Sequence, residues 1–437
     1  MPAAPPALDP IGRETMRRIN LRLLPFLMLA YLVCYIDRVN AGFAALQMNK
    51  EIGLSPSIFG LGGGIFFVSY CLFEVPSNLA LERFGARRWI ARIMISWGIV
   101  SGLMAAAIGP ASFVSIRFLL GAAEAGFFPG VILYLTYWFL AEQRGKIVGI
   151  FMVAIPVSGF VGSPISAALL GLHGLLGLSG WQWLFILEAA PAVVLGFVAL
   201  AWLTDKPDHA GWLSAEQRAW LADRLAAEQR QRRPVEHVPT LQVIRNRYVL
   251  AMAVVYAGSA TASSGLGLWQ PQFLKSFGVS TMATGWLNAF PYVLAAAGMI
   301  WWGRRSDLVR ERFWHTFAPL ALSAVTLLLL VPFPTLLASM VLLSIAVVAT
   351  SVFRGPFWAL ASEWLSARSS AAGIAMINAL GTGCSFICNY MIGGIKQATG
   401  SYPLAFLPIV GFAAVASVAL LLIGRPQRLM TAEAVTR

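Results

Sequence analysis

The sequence predicts an all-α integral membrane protein with twelve transmembrane helices, arranged as two pseudo-symmetric six-helix bundles. Three observations support this fold class. Of the 437 residues, 58% are hydrophobic and only 12% are charged, whereas soluble domains carry about 25% charged residues. Windows of about 20 nearly uncharged residues recur along the chain, and each can cross a hydrocarbon core about 30 Å thick. Similar short basic loops recur at matching places in the two halves of the chain.

Twelve apolar segments are long enough to form these helices, six on each side of a long polar segment. We place them at about 21–47, 58–82, 89–108, 111–140, 145–170, 182–204, 248–276, 281–303, 314–331, 335–364, 369–397 and 402–424. The chain then divides into an N-terminal tail (1–20), an N-terminal bundle (21–204), a linker with an amphipathic helix (205–247), a C-terminal bundle (248–424) and a C-terminal tail (425–437).

The basic residues sort to one side of the predicted membrane. When the loops are assigned alternately to two sides, 26 of the 32 Lys and Arg residues fall on the side that holds both termini. The other side holds only Lys50, Lys275 and Lys396. The positive-inside rule therefore places both termini in the cytoplasm. The net charge of +13 is thus explained by topology and does not indicate nucleic-acid binding.

The two halves have similar loops. "LERFGARR" follows the second span and "WGRRSDLVRER" follows the eighth, while "RGKIVG" follows the fourth and "RSSAAG" the tenth. This pattern suggests a parallel duplication of a six-helix unit, an architecture in which transporters place the substrate site between the halves. In the linker, Ser214 and Gln217 have the spacing of a capping box. We expect the helix that follows to serve as an interfacial tether.

Four charged residues lie inside the first and fourth spans, namely Asp37, Arg38, Arg117 and Glu124. Facing lipid, they would together cost roughly 10 kcal/mol, so they must face one another or a wet cavity. Adjacent residues of a helix point about 100° apart. The economical arrangement sets Asp37 near Arg117 and Glu124, and leaves Arg38, beside Tyr35, to bind a planar carboxylate from the cavity. A buried ion cluster that only fixes helix packing is the alternative.

Several motifs carry a resemblance to a known family. They are "YIDRVNAGFA", "FEVPSNLALERFGARRWIARIMISWG", "RFLLGAAEAGFFPGVILYLTYWF", "GRRSDLVRERFWH", "GPFWAL" and "AAGIAMINALG". With them, the chain resembles the major facilitator superfamily over about residues 15–425. It is most similar to the superfamily's anion:cation symporter family, which includes phthalate, tartrate, galactonate and hydroxyphenylacetate permeases.

The resemblance implies roles for individual residues. Asp37 and Glu124 fall on the family's proton-binding carboxylates, and Arg117 falls on the arginine that couples them. Arg38 falls on the anchor for the substrate carboxylate. The implied cavity-lining residues are Tyr35, Tyr70, Trp358 and Asn378. The implied cytoplasmic gate motif consists of Glu82, Arg83, Arg87, Arg305 and Asp307.

Two departures from the family pattern bear on the substrate. Ile155 stands where sugar-acid permeases have a polar amide, and "GTGCSFICNYMIGG" carries cysteines where relatives are rich in glycine. Both disfavour a polyhydroxylated substrate. Ile155, together with the aromatic residues Tyr35, Tyr70, Phe357 and Trp358, favours an aromatic or heteroaromatic acid. A sugar acid or a tartrate-like dicarboxylate stays open.

A third arginine, Arg354, lies inside the tenth span. It is four residues before Trp358, so the two share a helix face. If Trp358 lines the cavity, Arg354 points there too, and the cavity holds one guanidinium from each half. Such a pair would suit a substrate with two anionic groups, or a carboxylate plus an acceptor atom. The alternative is that Arg354 snorkels or binds a backbone carbonyl.

Other polar residues of the spans give weaker signals. Cys384 and Cys388 share a helix face, but no histidine lies near them in the sequence, so we predict no metal site and no cofactor. Glu188 and Glu363 could bind protons, although such acids more often stabilise helix ends or gates. Trp269 could line the cavity or lie in the interfacial aromatic belt.

We therefore predict a secondary active transporter, and not an enzyme, that imports an organic carboxylate by proton symport with alternating access. The expected partners are a small organic anion and membrane lipid. We expect a monomer in the bacterial inner membrane, with protons as the coupling ion. A uniporter or organic-anion exchanger on the same fold stays open, as does a membrane sensor or enzyme. The spans contain no nucleophile–base pair or nucleotide-binding loop that would favour an enzyme.

Overall fold

The computed structural model describes residues 9–231, 246–364 and 370–424, and these form α-helices joined by short loops. The helices are α1 Pro10–Glu51, α2 Pro56–Phe84, α3 Ala86–Leu103, α4 Pro110–Glu124, α5 Phe127–Trp138, α6 Ala141–Met152, α7 Ala154–Leu169, α8 Gly180–Trp202, α9 Ala215–Gln231, α10 Arg247–Lys275, α11 Thr281–Val309, α12 Phe313–Leu328, α13 Leu336–Val352, α14 Arg354–Trp364, α15 Ser370–Thr399, α16 Tyr402–Ala405 and α17 Leu407–Ile423.

Ten helical stretches of the described residues are long and apolar enough to cross a membrane. They coincide with ten of the twelve predicted spans. The other two predicted spans fall on α11 and α12, which have 29 and 16 residues. At 16 residues, α12 is only about 24 Å long, which is shorter than a hydrocarbon core. The all-helical membrane fold is confirmed.

Four of the predicted spans are each built from two helices, and in the last of them the break falls at Phe406. In the fourth span the break falls at Gly126, whose φ of 85° suits glycine. A Cβ there would also lie 2.4 Å from the Ser77 hydroxyl oxygen. The breaks in the fourth, fifth and tenth spans each lie within two residues of a candidate site residue. These pairs are Gly126 with Glu124, Val153 with Ile155, and Phe353 with Arg354.

Polar contacts tie the chain segments around the first half-bundle together. Asp9 caps α1 by accepting a hydrogen bond from the Gly12 N–H at 2.7 Å. The helix therefore begins at Pro10, within the stretch 1–20 that was predicted as a tail. The indole of Trp220 in α9 donates to the same carboxylate at 3.0 Å. The predicted capping box of Ser214 and Gln217 is confirmed, with contacts of 3.1 and 3.2 Å.

The two halves pack tightly at the end of the bundle away from the termini. There α2 crosses α15, where a Cβ on Gly393 would lie 2.4 Å from the Pro56 carbonyl oxygen. The N–H of Ser57 donates to Gln397 at 3.3 Å. Trp269 packs edge-on against Phe59 with ring centroids 5.1 Å apart. It therefore neither lines the cavity nor lies in an outer belt, because its ring fills the seam between the halves.

Replacing Gly393 with valine is expected to hold the halves apart at this end, because the added methyl groups meet the backbone of α2. Spin labels on the exposed residues Lys50 and Ala398 would report the change as a longer inter-label distance. Gly394→Val is the matched control, since a Cβ at Gly394 meets nothing within 4 Å. Identical distances in the two variants would contradict the expectation.

Candidate functional site

A cavity of about 130 Å³ lies between the two half-bundles. Both halves contribute to its wall, and three arginines face it, whereas no acidic residue of the described chain lines it. The wall includes Tyr35, Arg38, Phe66, Tyr70, Arg117, Ile155 and Ser158 from the first half, and Tyr256, Ser263, Ser264, Tyr292, Arg354, Trp358, Asn378, Thr382 and Ser385 from the second. This set of side chains favours an anionic, partly aromatic or hydroxylated ligand.

Arg38 forms an ion pair with Glu124 at the edge of the cavity. The Arg38 Nε donates to Oε1 of Glu124, and the Cys34 thiol donates to the same oxygen at 3.1 Å. Glu124 is only 1% exposed, whereas Arg38 is 17% exposed, so the carboxylate lies behind a guanidinium that faces the cavity. The prediction that Glu124 would pair with Asp37 and Arg117 while leaving Arg38 unpaired is wrong. Arg38 and Cys34 are four residues apart and present one face of α1 to α4.

Aromatic rings fix the plane of the Arg38 guanidinium. Its Cζ lies 5.1 Å from the ring centroid of Tyr35, 5.0 Å from that of Tyr70 and 5.6 Å from that of Phe66. Contacts of this kind are cation–π interactions, which strengthen when water is excluded. The predicted placement of Arg38 beside tyrosine is confirmed. The bond to Glu124 comes from Nε, and the two Nη atoms donate to no described side chain. A planar carboxylate could therefore bind both Nη atoms.

Asp37 faces a different helix. Its Oδ2 accepts from the Trp97 indole at 2.9 Å, and its Oδ1 accepts from the Ser101 hydroxyl at 3.1 Å. Asn40, three residues further along α1, donates to Oδ1 at 3.4 Å. The expected pairing of Asp37 with Arg117 is therefore wrong, because the Asp37 carboxylate reaches Trp97 and Ser101 of α3 instead. Sequence reasoning missed Trp97 and Ser101, whose i, i+4 spacing on an apolar helix was the available signal.

Arg117 is buried, with 3% exposure, and bonds to backbone instead of to an acid. Its Nε donates to the Gly62 carbonyl at 3.2 Å, and its Cζ lies 5.1 Å from the Phe66 ring. Within the described ranges, no carboxylate lies within ion-pair distance of it. Arg117 and Glu124 are seven residues apart, or about 10.5 Å along the helix axis. Glu124 therefore lies beside Arg38, and Arg117 is too far along the helix to pair with Glu124.

Arg354 lies at the start of α14 and reaches the cavity from the second half. Its Nη2 donates to the Ser263 hydroxyl at 2.7 Å, and its Nη1 is buried without a partner. Arg354 and Trp358 both line the cavity, which confirms that they share a face. The alternative of snorkelling or of a bond to a backbone carbonyl does not fit, since Arg354 is 8% exposed and its partner is a hydroxyl.

Tyr70 and Asn378 lie where the resemblance placed them, whereas one aromatic residue that was taken to favour an aromatic acid does not reach the cavity. Tyr70, Ile155 and Asn378 line the cavity. Phe357 does not, because it is fully buried and stacks on Phe353 with ring centroids 4.9 Å apart. The aromatic residues of the second half that sequence reasoning missed are Tyr256 and Tyr292. Neither belonged to a motif, and only the packing of α10 and α11 places them.

Glu74 of α2 and Asn378 of α15 join the two halves beside the cavity. The amide of Asn378 donates to Oε1 of Glu74 at 3.2 Å, and the nearby Cys71 thiol donates to the Ala379 carbonyl at 3.2 Å. Glu74 is 5% exposed. These contacts extend the seam between the halves from the far end towards the middle of the bundle.

The loop after α2 is held by its own half and by the start of the linker. The Arg87 N–H donates to Asp205 Oδ1 at 2.8 Å, and the Arg87 Nε lies 4.0 Å from Oδ2. Asp205 was not singled out from the sequence. Arg83 stacks over its neighbour Phe84 at 5.6 Å, and Glu82 is exposed. Arg83 therefore contacts its own half, and Arg87 contacts the first residue of the linker in this structure.

The loop after α11 is likewise held by the second half. Arg312 pairs with Asp307 at 2.5 Å, and Arg305 lies over Trp301 at 5.9 Å. Burial disfavours ionisation of Glu311, but hydrogen bonds from the N–H groups of Trp314 and His315 and from the His315 ring hold the pKa of Glu311 below its usual value. The hydrogen bonds and ion pairs described above for the two loops do not join one loop to the other.

The remaining acidic residues and cysteines that the sequence suggested as weaker candidates lie in α8, α14 and α15. Glu188 is buried in α8 and accepts a hydrogen bond from Ser166 at 2.6 Å. Glu363 belongs to α14, but its side chain is outside the described part of the chain. Cys384 and Cys388 are free thiols on α15. Among the described residues, no group of three or more His, Cys, Asp or Glu could hold a metal ion.

Two half-bundles around a central polar cavity define the class of multi-pass membrane transporters. The sequence profile of the Major Facilitator Superfamily matches residues 27–388 of this chain. The chain therefore belongs to the Major Facilitator Superfamily and is a transporter, not an enzyme.

Individual proteins agree with this assignment. An Agrobacterium vitis protein named "Putative tartrate transporter" is 47% identical over 412 residues, which are 94% of this chain and 95% of that protein. An Acinetobacter baumannii protein named "Quinolone resistance transporter" is 39% identical over 405 residues, covering 91% and 92% of the two chains. The crystal structure of a bacterial homolog of the human lysosomal transporter Spinster, inward-facing and occupied, has the same fold. Its TM-score is 0.71 at 19% identity, over 92% of this chain and 96% of that chain.

Proposed function

We propose that this chain imports an organic carboxylate across the bacterial inner membrane by proton symport, with both termini in the cytoplasm. The observation that carries the proposal is the Arg38–Glu124 pair, in which a cavity-facing guanidinium binds a buried carboxylate. The name of the relative from Agrobacterium vitis supports an anionic cargo. In this proposal the chain acts as a monomer, and protons are the only coupling ion.

Proton and substrate are coupled because Glu124 and the substrate carboxylate compete for the guanidinium of Arg38. When Glu124 is ionised, it binds Arg38 on the side away from the cavity and reduces the positive charge available to a substrate. When a proton neutralises Glu124, Arg38 can bind the substrate carboxylate fully. Proton and substrate therefore favour each other's binding by the same factor. Asp37, held by Trp97 and Ser101, is proposed as a second proton-binding carboxylate of the same half.

Alternating access follows from the seam between the halves. The end of the bundle away from the termini is closed by the contact of α2 with α15. If the termini are cytoplasmic, this closed end faces the periplasm. The gate residues Glu82, Arg83, Arg87, Arg305 and Asp307 lie at the opposite end and are proposed to contact each other across the halves when that end closes.

The lining of the cavity supports two substrate skeletons. The rings of Tyr35, Tyr70, Tyr256, Tyr292 and Trp358 could stack on an aromatic or heteroaromatic acid. The hydroxyls of Ser158, Ser263, Ser264, Thr382 and Ser385 could bind those of a tartrate-like acid. Ile155 offers no hydrogen bond, which favours the first skeleton.

Uptake into proteoliposomes tests the proposal. With an acidic exterior, labelled phthalate or tartrate is expected to accumulate above its external concentration, because protons enter with it. A protonophore should abolish accumulation, and an imposed sodium gradient should not replace the proton gradient. Equilibration without accumulation would instead indicate a uniporter. Uptake that requires a preloaded anion would indicate an exchanger.

A further inference from the structure

The cavity carries more positive charge than the coupling pair needs. Arg38 has Glu124 as its partner, but neither Arg117 nor Arg354 has a carboxylate within ion-pair distance in the described part of the chain. Arg117 stands on the wall of the first half together with Arg38. Arg354 faces them from the second half. Two positive regions therefore bracket the cavity, one on each side of the seam.

Arg354 has one guanidinium nitrogen without a partner and another that is fixed by a neutral side chain. A buried guanidinium without a counter-ion is costly, yet Arg354 is only 8% exposed and its Nη1 has no partner. The Ser263 hydroxyl fixes Nη2 at 2.7 Å, and the position at the first turn of α14, directly after the break at Phe353, fixes the backbone. A neutral serine orients the guanidinium without neutralising it, so its charge remains available to the cavity.

We infer that Arg354 is a second carboxylate-binding subsite, and that the cargo is a dicarboxylate whose two acid groups reach Arg38 and Arg354. This inference rests on the proposed function as a carboxylate transporter and narrows its substrate class. A dianion neutralises a guanidinium on each wall, whereas a monoanion leaves one wall charged. Because one acid group binds each half, a dicarboxylate also links the two halves as the cavity closes. Both phthalate-like and tartrate-like skeletons satisfy this requirement.

Binding of matched ligand pairs to the purified full-length chain tests the inference by calorimetry. Each diacid is compared with its monoamide, which has nearly the same size but one charge fewer: phthalate with phthalamate, and tartrate with tartramate. We expect the wild type to bind at least one diacid about tenfold or more tighter than its monoamide. Arg354→Gln should remove that preference while changing monoamide affinity less than about threefold.

Two further variants separate the roles. Arg38→Gln should weaken both members of the preferred pair, because each has a carboxylate at the first anchor. Ser263→Ala removes the neutral partner but keeps the charge of Arg354, so most of the preference should survive. The wild-type comparison needs no variant, so a poorly folded Arg354→Gln protein would not prevent the test.

The subsite is disproved if the wild type binds each diacid and its monoamide with equal affinity. It is also disproved if Arg354→Gln lowers the affinity for both members of a pair equally. Failure of the proposed function looks different. In that case the diacid preference and its dependence on Arg354 would persist in binding, while uptake would not respond to a proton gradient.

Discussion

Replacing Arg38 with glutamine is expected to abolish measurable uptake of every carboxylate that the protein carries. The variant loses the cavity-facing guanidinium and leaves the buried Glu124 without its ion-pair partner. A charge-assisted hydrogen bond contributes about 1.5–3 kcal/mol, so the substrate dissociation constant should rise about 10- to 100-fold. Calorimetric titration of the purified variant measures this rise, and labelled uptake into proteoliposomes measures the loss of transport.

Arg38→Lys is the informative control for this prediction. Lysine keeps a positive charge near Glu124 but lacks the planar fork that binds a carboxylate through two nitrogens. It also stacks less well on the tyrosine rings at 5.0 and 5.1 Å. We expect it to fold normally and to recover only part of the affinity. Full substrate affinity in Arg38→Gln would remove Arg38 from the binding site.

Replacing Glu124 with glutamine should uncouple transport from the proton gradient. Glutamine has the shape of a protonated glutamate but cannot release a proton. With one coupled proton, a gradient of one pH unit supports about tenfold accumulation, and in the variant this ratio should fall to about one. Exchange of labelled for unlabelled substrate should continue, since it does not require the site to release its proton. Parallel accumulation and counterflow assays in proteoliposomes make the measurement.

Cys34→Ala is the matched control for Glu124. The Cys34 thiol is the second donor to the same carboxylate oxygen, but its loss leaves the titrating group in place. This variant should still accumulate substrate. Gradient-driven accumulation by Glu124→Gln would exclude Glu124 as a proton site and would shift that role to Asp37, for which Asp37→Asn is the corresponding test.

Helical periodicity accounts for what could be predicted from the sequence. The positions of ten spans follow from apolar length, while the side on which the termini lie stays a prediction from the basic residues. Which residues share a face follows from spacing alone, and the structure confirms it for Arg38 with Tyr35 and for Arg354 with Trp358. These predictions succeed because each depends only on a single helix.

The errors concern which helices face each other. Asp37 was expected to face α4 but binds Trp97 and Ser101 of α3, because the rotation of α1 is set by packing along its whole length. The helix break at Gly126 lies two residues after Glu124. Its position could not be predicted, because it lies in an apolar run of even composition. Tyr256 and Tyr292 reach the cavity only through the packing of their helices, for which no local signal exists.

Proton movement caused by substrate tests the central claim most directly. Proteoliposomes containing a trapped pH-sensitive dye are prepared without any ion gradient, and the preferred dicarboxylate is then added outside while its entry is followed with a label. The interior should acidify as the substrate enters, and Glu124→Gln should abolish the acidification. Entry of labelled substrate into wild-type vesicles with no change in internal pH would contradict the claim.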